Sequence, residues 1–306
     1  MSAAAGGRIR SMTEVAPGVH FVEGPASNWT VLVGHSRGTG DTASRAASTT
    51  AGDRASSTDD TASAPRVVLI DAGYPKDLPL VEESIRRAGG KVDDLIAILI
   101  THGHSDHIGT VAPLARRTGA HVYGHPYEHG NITRAELHQI GIGDILPLLW
   151  KPRIARWVTH AIGAGGLSDV GVERVQGMPE SAGGVVAGNR AVRWPAAHLA
   201  GHHIVQIPSA GHTPGHSGYW LPEHGVLVVG DAIVSAHPTT TVTGPQLLPA
   251  MWHTDPLEAI RAIDTFIDID AIVVLPGHGP LLRSSPADVV RRATDTLHAA
   301  DPDRAH

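Results

Sequence analysis

The segment that most constrains this chain is Leu95–Gly109, where six apolar residues in a row lead directly into THGHSDHIG. Such a continuous apolar run is typical of a strand that is buried on both faces. His102 and His104 lie two residues apart, so both project to the same side of an extended backbone. Asp106 and His107 would then fall in the first turn of a following helix, where a carboxylate also suits the helix dipole. This crowding is unfavourable unless a cation compensates it, so the segment predicts a metal site.

Strands and helices alternate along much of the chain, which predicts an α/β fold. Helical patterns mark residues 77–87, 108–117, 256–267 and 286–299, and strand patterns mark 29–33, 66–70, 95–100, 120–123, 226–229 and 271–275. A weak internal repeat pairs LIDAG at 69–73 with VVGDA at 228–232, and AILITHGH at 97–104 with AIVVLPGHG at 271–279. The repeat indicates two similar βα halves that face each other, with the chemistry at the strand ends.

Two segments interrupt this alternation. Residues 36–65 contain no Val, Ile, Leu, Met or aromatic side chain, so they cannot bury enough apolar surface to offset the entropy of ordering. We interpret them as a disordered loop at the tip of a hairpin, and residues 126–199, rich in Trp, Pro and Gly, as a cap-like insertion beside the site. Residues 1–11 are small and polar and are expected to be disordered. The remainder, 12–306, is expected to form a single domain.

Composition limits which side chains can bind a metal, because the chain has 21 histidines and no cysteine. Any metal must therefore be held by nitrogen and oxygen. Further candidates follow other strands: a histidine of GHTPGH, where spacing alone allows either His212 or His216, together with Asp231 and His278. With the first cluster, these make five imidazoles and two carboxylates. A catalytic zinc needs about three protein ligands, so the set suggests two metals that share one carboxylate.

THGHSDHIG, followed by GHTPGHSG, GDA and PGHG and preceded by LIDAG, resembles the metallo-β-lactamase superfamily. The resemblance implies a four-layer αββα sandwich. It implies one metal held by His102, His104 and His212, a second held by Asp106, His107 and His278, and Asp231 as the bridge. It also implies that Asp71 and His216 support the site without binding metal. Two zinc ions are expected as cofactors, with iron or manganese as alternatives.

The function that follows is metal-dependent hydrolysis. Bound zinc lowers the pKa of its water to about 7, so a metal-bound hydroxide could attack an ester, thioester or lactone carbonyl, with Asp106 and Asp231 as the catalytic carboxylates. Asp231 stands where many β-lactamases of the superfamily have cysteine or serine, which favours the branch of glyoxalase II and the lactonases. The alternatives are a sulfur dioxygenase with one iron and a phosphodiesterase on the same fold.

The expected substrate is a small molecule. A net charge of −6 gives no broad basic face for nucleic acid, and no apolar stretch approaches the ~18 residues of a membrane span. We therefore expect a cytoplasmic protein without nucleic-acid or membrane partners, and a homodimer is left open. Trp29, His237, Trp252 and His253 are the candidates for the wall of the substrate pocket.

Overall fold

The computed structural model describes residues 7–35, 64–179, 185–187 and 190–300. The strands are β1 Ser11–Ala16, β2 Val19–Glu23, β3 Asn28–His35, β4 Pro65–Ile70, β5 Leu95–Leu99, β6 His121–Tyr123, β7 Val185–Ala187, β8 Arg190–Val192, β9 Ala196–Leu199, β10 His202–Pro208, β11 Ser217–Leu221, β12 Val226–Gly230 and β13 Val273–Pro276. The α-helices are α1 Leu78–Arg87, α2 Ser105–Ile108, α3 Val111–Thr118, α4 His129–Thr133, α5 Ile142–Ile145, α6 Pro152–Gly163, α7 Pro256–Ala262 and α8 Pro286–Ala300. Short 3₁₀ helices span Pro75–Asp77, Val92–Asp94, Pro126–Glu128, Leu146–Leu148, Pro222–His224, Ala250–Trp252 and Ile263–Phe266.

Two sheets pack face to face. The first has the strand order β1-β2-β3-β4-β5-β6, and the second has the order β13-β12-β11-β10-β9. Side chains alternate across each strand, so Val68 and Ile70 of β4 enter the core between the sheets, together with Val226 and Val228 of β12. Because both faces of these strands are buried, their sequences are apolar at consecutive positions, which is the pattern that predicts them.

The outer faces of both sheets are covered by helices. On the first sheet, Val67 and Leu69 pack with Val81 and Ile85 of α1 and with Val111 of α3. On the second sheet, residues of β12 and β13 pack with residues of α8 and of the 3₁₀ turn Ile263–Phe266. The result is the predicted four-layer αββα sandwich, and this prediction is confirmed. No helix among the described residues has the length and apolar character needed to cross a membrane.

The internal repeat of the sequence corresponds to two parallel strand pairs, β4 with β5 and β12 with β13. Because the carboxyl ends of parallel strands meet at one edge of a sheet, each half presents two ligand-rich loops side by side. Asp71 and His102 follow the first pair, and Asp231 and His278 follow the second. The packing of the sheets brings these two edges together, and this is what assembles the site.

The predicted helix at 108–117 is instead divided into α2 and α3. The backbone of Gly109 lies against the LIDAG segment, where its N–H donates to Gly73 O at 2.8 Å. A Cβ at Gly109 would lie 2.3 Å from the nitrogen of Pro75, so no other residue fits there without displacing the backbone. Thr110 Oγ1 also donates to Ala72 O, at 2.6 Å. These contacts from a distant strand end interrupt the helix, and no periodicity within the helix predicts them.

Three predicted segment boundaries need correction. The N-terminal extension is shorter than 1–11, because Ser11 begins β1 and Arg10 N–H donates to Glu23 O at 2.8 Å; residues 1–6 lie outside the described residues. The predicted loop 36–65 ends too late, since Pro65 begins β4 and pairs with His35, whereas residues 36–63 lie outside the described part. The cap-like insertion at 126–199 also extends too far, because β9 is a strand of the second sheet that pairs with β10.

Candidate metal centre

The first group of potential ligands joins two loops. His102 and His104 follow β5, and His104 precedes α2 in extended conformation, with φ −75° and ψ 150°. His212 comes from the loop between β10 and β11. His104 Nδ1 lies 3.1 Å from His102 Nε2 and 3.1 Å from His212 Nε2. Three imidazole nitrogens therefore converge on one point, as in a three-histidine metal site.

The second group combines carboxylates and imidazoles. Asp106 Oδ2 lies 3.8 Å from His107 Nε2 and 3.4 Å from His278 Nε2. Asp231 lies between the two groups: its Oδ1 is 3.5 Å from His107 Nε2, and its Oδ2 is 3.2 Å from His278 Nε2 and 3.7 Å from His212 Nε2. All seven residues that the resemblance implies as ligands are thus placed around one buried volume. Asp231 faces both groups, in the position expected of a shared ligand.

The ring nitrogens that point away from this volume have hydrogen-bond partners. His107 Nδ1 lies 2.9 Å from Asp71 Oδ2, and His278 Nδ1 lies 2.8 Å from Ala26 O, so each Nδ1 carries its proton outward. The Thr101 hydroxyl donates to Asp71 at 2.7 Å, which leaves Thr101 Oγ1 to accept the Nδ1–H of His102 at 3.0 Å. In each of the three histidines, Nε2 then faces inward and is the nitrogen that can bind a metal once the ring is neutral. Such outer contacts fix the tautomer and orientation of a metal-binding imidazole.

Asp71 and His216 lie behind the potential ligands, where the resemblance implies supporting residues. Asp71 is 3% exposed and has φ +59°, a left-handed conformation that directs its carboxylate to Thr101 and His107. His216 accepts from the backbone N–H of Asp231 at 3.1 Å and contacts Ser209 Oγ at 2.9 Å. Burial lowers the pKa of His216 to about 3, so this ring is neutral and can accept. His216 thus orients Asp231 through the backbone.

The residues fit divalent cations on two observations. His107 Nε2 and Asp231 Oδ1 are buried and have no hydrogen-bond partner, which is costly unless another group satisfies them. In addition, the buried carboxylates need positive charge nearby. Burial alone would lower the pKa of His107, but Asp231, Asp106 and Asp71 outweigh burial and raise it to about 9. Protons therefore supply part of the positive charge that cations would provide when bound.

The histidines of the first group have the opposite electrostatic behaviour to His107. Burial lowers the pKa of His102 and of His212 well below the ordinary value, with further lowering from neighbouring imidazoles. Neutral imidazole is the form that binds a metal. Burial opposes ionisation of Asp106, but His107 and His278 hold the pKa of that carboxyl well below its usual range. At neutral pH, the first group therefore offers neutral nitrogens and the second group offers an ionised carboxylate.

A cavity of about 290 Å³ opens above these residues. His237 and Trp252 line it, as the sequence predicts. Trp29 does not, and that prediction is wrong: its ring is 2% exposed, packs in the core of the first sheet and donates from Nε1 to Ser84 Oγ at 2.9 Å. His253 is not among the lining residues either. It lies beside His212, with the two Nδ1 atoms 3.3 Å apart, and contacts Leu248 O through Nε2 at 2.9 Å.

A buried carboxylate that the sequence does not reveal joins the two loops of the first group. Glu128 is fully buried, and it accepts from Gly103 N–H at 2.8 Å and from Gly215 N–H at 3.0 Å. Arg134 donates to the carbonyl of Gly103 at 2.9 Å, so both backbone groups of the residue between His102 and His104 are held. Nothing in the local sequence HPYEHG marks this role, because the partners lie 25 and 87 residues away.

Convergent histidines and aspartates at the strand ends of an αββα sandwich define a class of metal-binding α/β proteins. Residues 66–278 match the family model of the metallo-β-lactamase superfamily, and the chain belongs to that superfamily. The predicted resemblance is therefore confirmed. The fold of this superfamily implies that the protein binds divalent metal, through the histidine and aspartate groups described above.

Relatives and solved structures agree with this membership. The probable metallo-hydrolase YflN of Bacillus subtilis strain 168 is 28% identical over 221 residues, which cover 69% of this chain and 75% of the relative. The uncharacterized protein YobT of the same organism is 25% identical over 237 residues, which cover 74% of this chain and 84% of YobT. A metallo-beta-lactamase family protein from Thermus thermophilus, TTHA1429, has a TM-score of 0.56 at 21% identity, covering 94% of this chain and 81% of that one. At that identity, the structural likeness concerns the fold alone.

Proposed function

We propose that the protein is a hydrolase with two metal ions that cleaves an ester, thioester or lactone. The observation that carries this proposal is the convergence of seven nitrogen and oxygen donors on one region of the structure, where five of the residues that supply them form the floor of an apolar cavity. Two zinc ions are the proposed cofactors: His102, His104 and His212 would hold one, Asp106, His107 and His278 would hold the other, and Asp231 would contact both. Bound divalent cations would supply a water that ionises near neutral pH and an electrophile for the substrate oxygen.

The protein's own residues have distinct proposed roles. Asp106 is ionised and lines the cavity, with its Oδ2 3.4 Å from His278 Nε2, so it can orient the nucleophile by accepting a hydrogen bond from it. Asp231 is held by His216 through its backbone, which keeps the carboxylate between the two ligand groups. The apolar walls exclude bulk water from the reacting carbonyl and so strengthen electrostatic interactions within the cavity. No serine or cysteine nucleophile is needed in this arrangement.

The cavity favours a carbonyl substrate over a phosphodiester. None of the described residues that line it is lysine or arginine. The oxygens of a phosphodiester would then be neutralised by the metal ions alone, without the Lys or Arg side chains that assist many phosphoryl-transfer sites. The proposed partner is therefore a small molecule and not nucleic acid. A cytoplasmic location and a homodimer stay predictions.

The test is metal analysis combined with a substrate panel. The protein is loaded with zinc, and p-nitrophenyl esters, thioesters, lactones and phosphodiesters are compared. We expect hydrolysis of carbonyl substrates, and loss of most activity and of bound zinc in Asp231→Ala. Activity on phosphodiesters alone, or oxygen consumption by an iron-loaded protein that hydrolyses nothing with zinc, would refute the proposal.

A further inference from the structure

The walls of the cavity differ in character from its floor. The floor contains the ligand-type residues His104, Asp106, His212, Asp231 and His278. The walls are largely apolar, from residues such as Ile145, Trp157, Leu248 and Trp252, and the other polar residues of the lining are Ser105, Gln139 and His237. Trp157 of α6 contacts Trp252 edge to face, with ring centroids 5.0 Å apart. The cap-like insertion, which contains α6, therefore closes one side of the cavity against the segment that follows β12. A substrate at the floor must therefore be flanked by apolar surface.

Cations on neighbouring segments are directed elsewhere. Arg134, on the segment that follows α4, donates to the carbonyl of Gly103 at 2.9 Å. Arg153 of α6 donates to Thr240 O at 2.9 Å, which ties the cap helix to the loop after β12. Neither is among the residues that line the cavity. Away from the floor, a carboxylate or phosphate on the substrate would therefore lie against the walls without a cationic side chain beside it.

The apolar wall of the cavity continues onto the solvent-exposed surface of the protein. Leu146, Leu149, Ile162 and Leu167 line the cavity and are 58%, 36%, 52% and 66% exposed. Exposed apolar side chains that adjoin a pocket are a typical sign of ligand binding. At about 290 Å³, the enclosed volume lies near the lower end of ligand pockets. A chain longer than the cavity can therefore extend along this rim.

From these contacts we infer the substrate class: an uncharged ester or lactone with an unbranched apolar chain, whose carbonyl lies at the metal-ligand floor and whose chain lies along the apolar wall to which α6 and Trp252 contribute. This inference rests on the proposed function for the reaction. The part that concerns chain binding depends only on the walls of the cavity.

The first experiment compares p-nitrophenyl esters from acetate to octanoate on the zinc-loaded protein. We expect kcat/KM to rise about fourfold for each methylene until the chain fills the cavity, because each buried methylene contributes that factor. The matched ester with a terminal carboxylate in place of the terminal methyl should react at least about 100-fold more slowly, since the charge would be desolvated without a partner.

The second experiment measures binding without turnover. Uncleavable methyl ketones with propyl to heptyl chains are titrated against the protein, and the change in tryptophan emission is followed, to which Trp157 and Trp252 of the cavity contribute. The dissociation constant should fall by about fourfold per methylene. A variant tests the wall directly with the esters of the first experiment. Leu149→Lys places a cation at the cavity wall and should lower the ratio of kcat/KM for the apolar ester to kcat/KM for the carboxylated ester by about tenfold. Leu137→Lys is the matched control, because Leu137 is 60% exposed and does not line the cavity.

The outcomes separate this inference from the proposed function. Hydrolysis that ignores chain length, or that is equally fast with the carboxylated ester, would overturn the substrate class and leave the hydrolase proposal standing. Chain-dependent ketone binding without hydrolysis of any carbonyl substrate would overturn the proposed function while supporting the assignment of the cavity. If neither chain-dependent binding nor hydrolysis is observed, the substrate class and the proposed function are both overturned. An equal effect of Leu137→Lys and Leu149→Lys would refute the role given to the cavity wall.

Discussion

The buried carboxylate of Glu128 gives the sharpest test of how the metal site is held. Its Oε2 accepts from Gly103 N–H and from Asn131 Nδ2, at 2.8 and 3.1 Å, and its Oε1 accepts from Gly215 N–H at 3.0 Å. Gly103 lies between His102 and His104, and Gly215 belongs to the loop that carries His212. One side chain thus connects the two loops that supply the first ligand group.

Glu128→Gln changes this connection with almost no change in size. The amide has one oxygen and one NH₂ group, so it can accept at only one of the two positions, and the other backbone N–H then faces a donor. Leaving a buried donor without a partner costs about 1–3 kcal/mol. If the loops shift to relieve this cost, the affinity for the metal at the three-histidine group should fall by about 10- to 100-fold. This range of about 10- to 100-fold is typical when residues that support metal ligands through hydrogen bonds are mutated.

The assay is a Co²⁺ titration of the metal-free protein, followed by visible absorption and by calorimetry so that two classes of site are resolved. We expect the loss in Glu128→Gln to be larger at the group of His102, His104 and His212 than at the group of Asp106, His107 and His278. Glu136→Gln is the matched control, because Glu136 is on the same segment but its side chain is 68% exposed. Lower stability to urea with unchanged metal affinity, or equal loss at both sites, would refute the reasoning.

Individual contacts elsewhere in the molecule give three more predictions. The pKa of His107 is raised from 6.5 to about 9 in the folded metal-free protein, so the stability that its proton provides is fully present below about pH 6.5 and is lost as pH rises towards 9. The increase in Tm on adding zinc should therefore become larger between about pH 6.5 and about pH 9. An increase that stays constant over this range would contradict the prediction. Gly277→Ala should remove most metal binding, as measured by metal content after gel filtration, because a Cβ there would lie 2.1 Å from Asp231 Oδ1; full retention of metal would contradict the assigned geometry. Trp29→Phe should lower the free energy of unfolding by about 1–3 kcal/mol through loss of the hydrogen bond to Ser84, with metal affinity and substrate KM unchanged. A changed KM would instead show that Trp29 contributes to substrate binding.

The potential ligands were predictable because their signal is local. All except His212 follow strands whose continuous apolar sequence reflects burial on both faces, and the run of His and Asp after β5 has no simple structural explanation without a cation. The internal repeat likewise indicated two βα halves, since the same strand-to-loop pattern occurs at Asp71 and Asp231. Spacing alone did not decide between His212 and His216. In the fold, His212 lies 3.1 Å from His104, whereas His216 contacts Ser209 and the backbone of Asp231.

Other features depend on residues that are distant in sequence. Trp29 was a reasonable candidate for the pocket because it ends a loop, yet the partner that fixes its ring, Ser84, lies 55 residues away on α1. Glu128 carried no sequence signal, since a glutamate between Tyr and His is ordinarily a surface residue. The break between α2 and α3 also arises from the close approach of another strand end to Gly109.

The sequence by itself therefore determined the fold class, the order of most of the strands that precede the potential ligands, and the set of side chains able to bind metal. These depend on apolar patterning and on residue types within a few positions of each other. Only the tertiary structure decided which side chains hold the potential ligands in place and which form the wall of the cavity. Those contacts are made between the ends of two separate sheets, and local patterning contains no information about which distant residue will occupy the facing position.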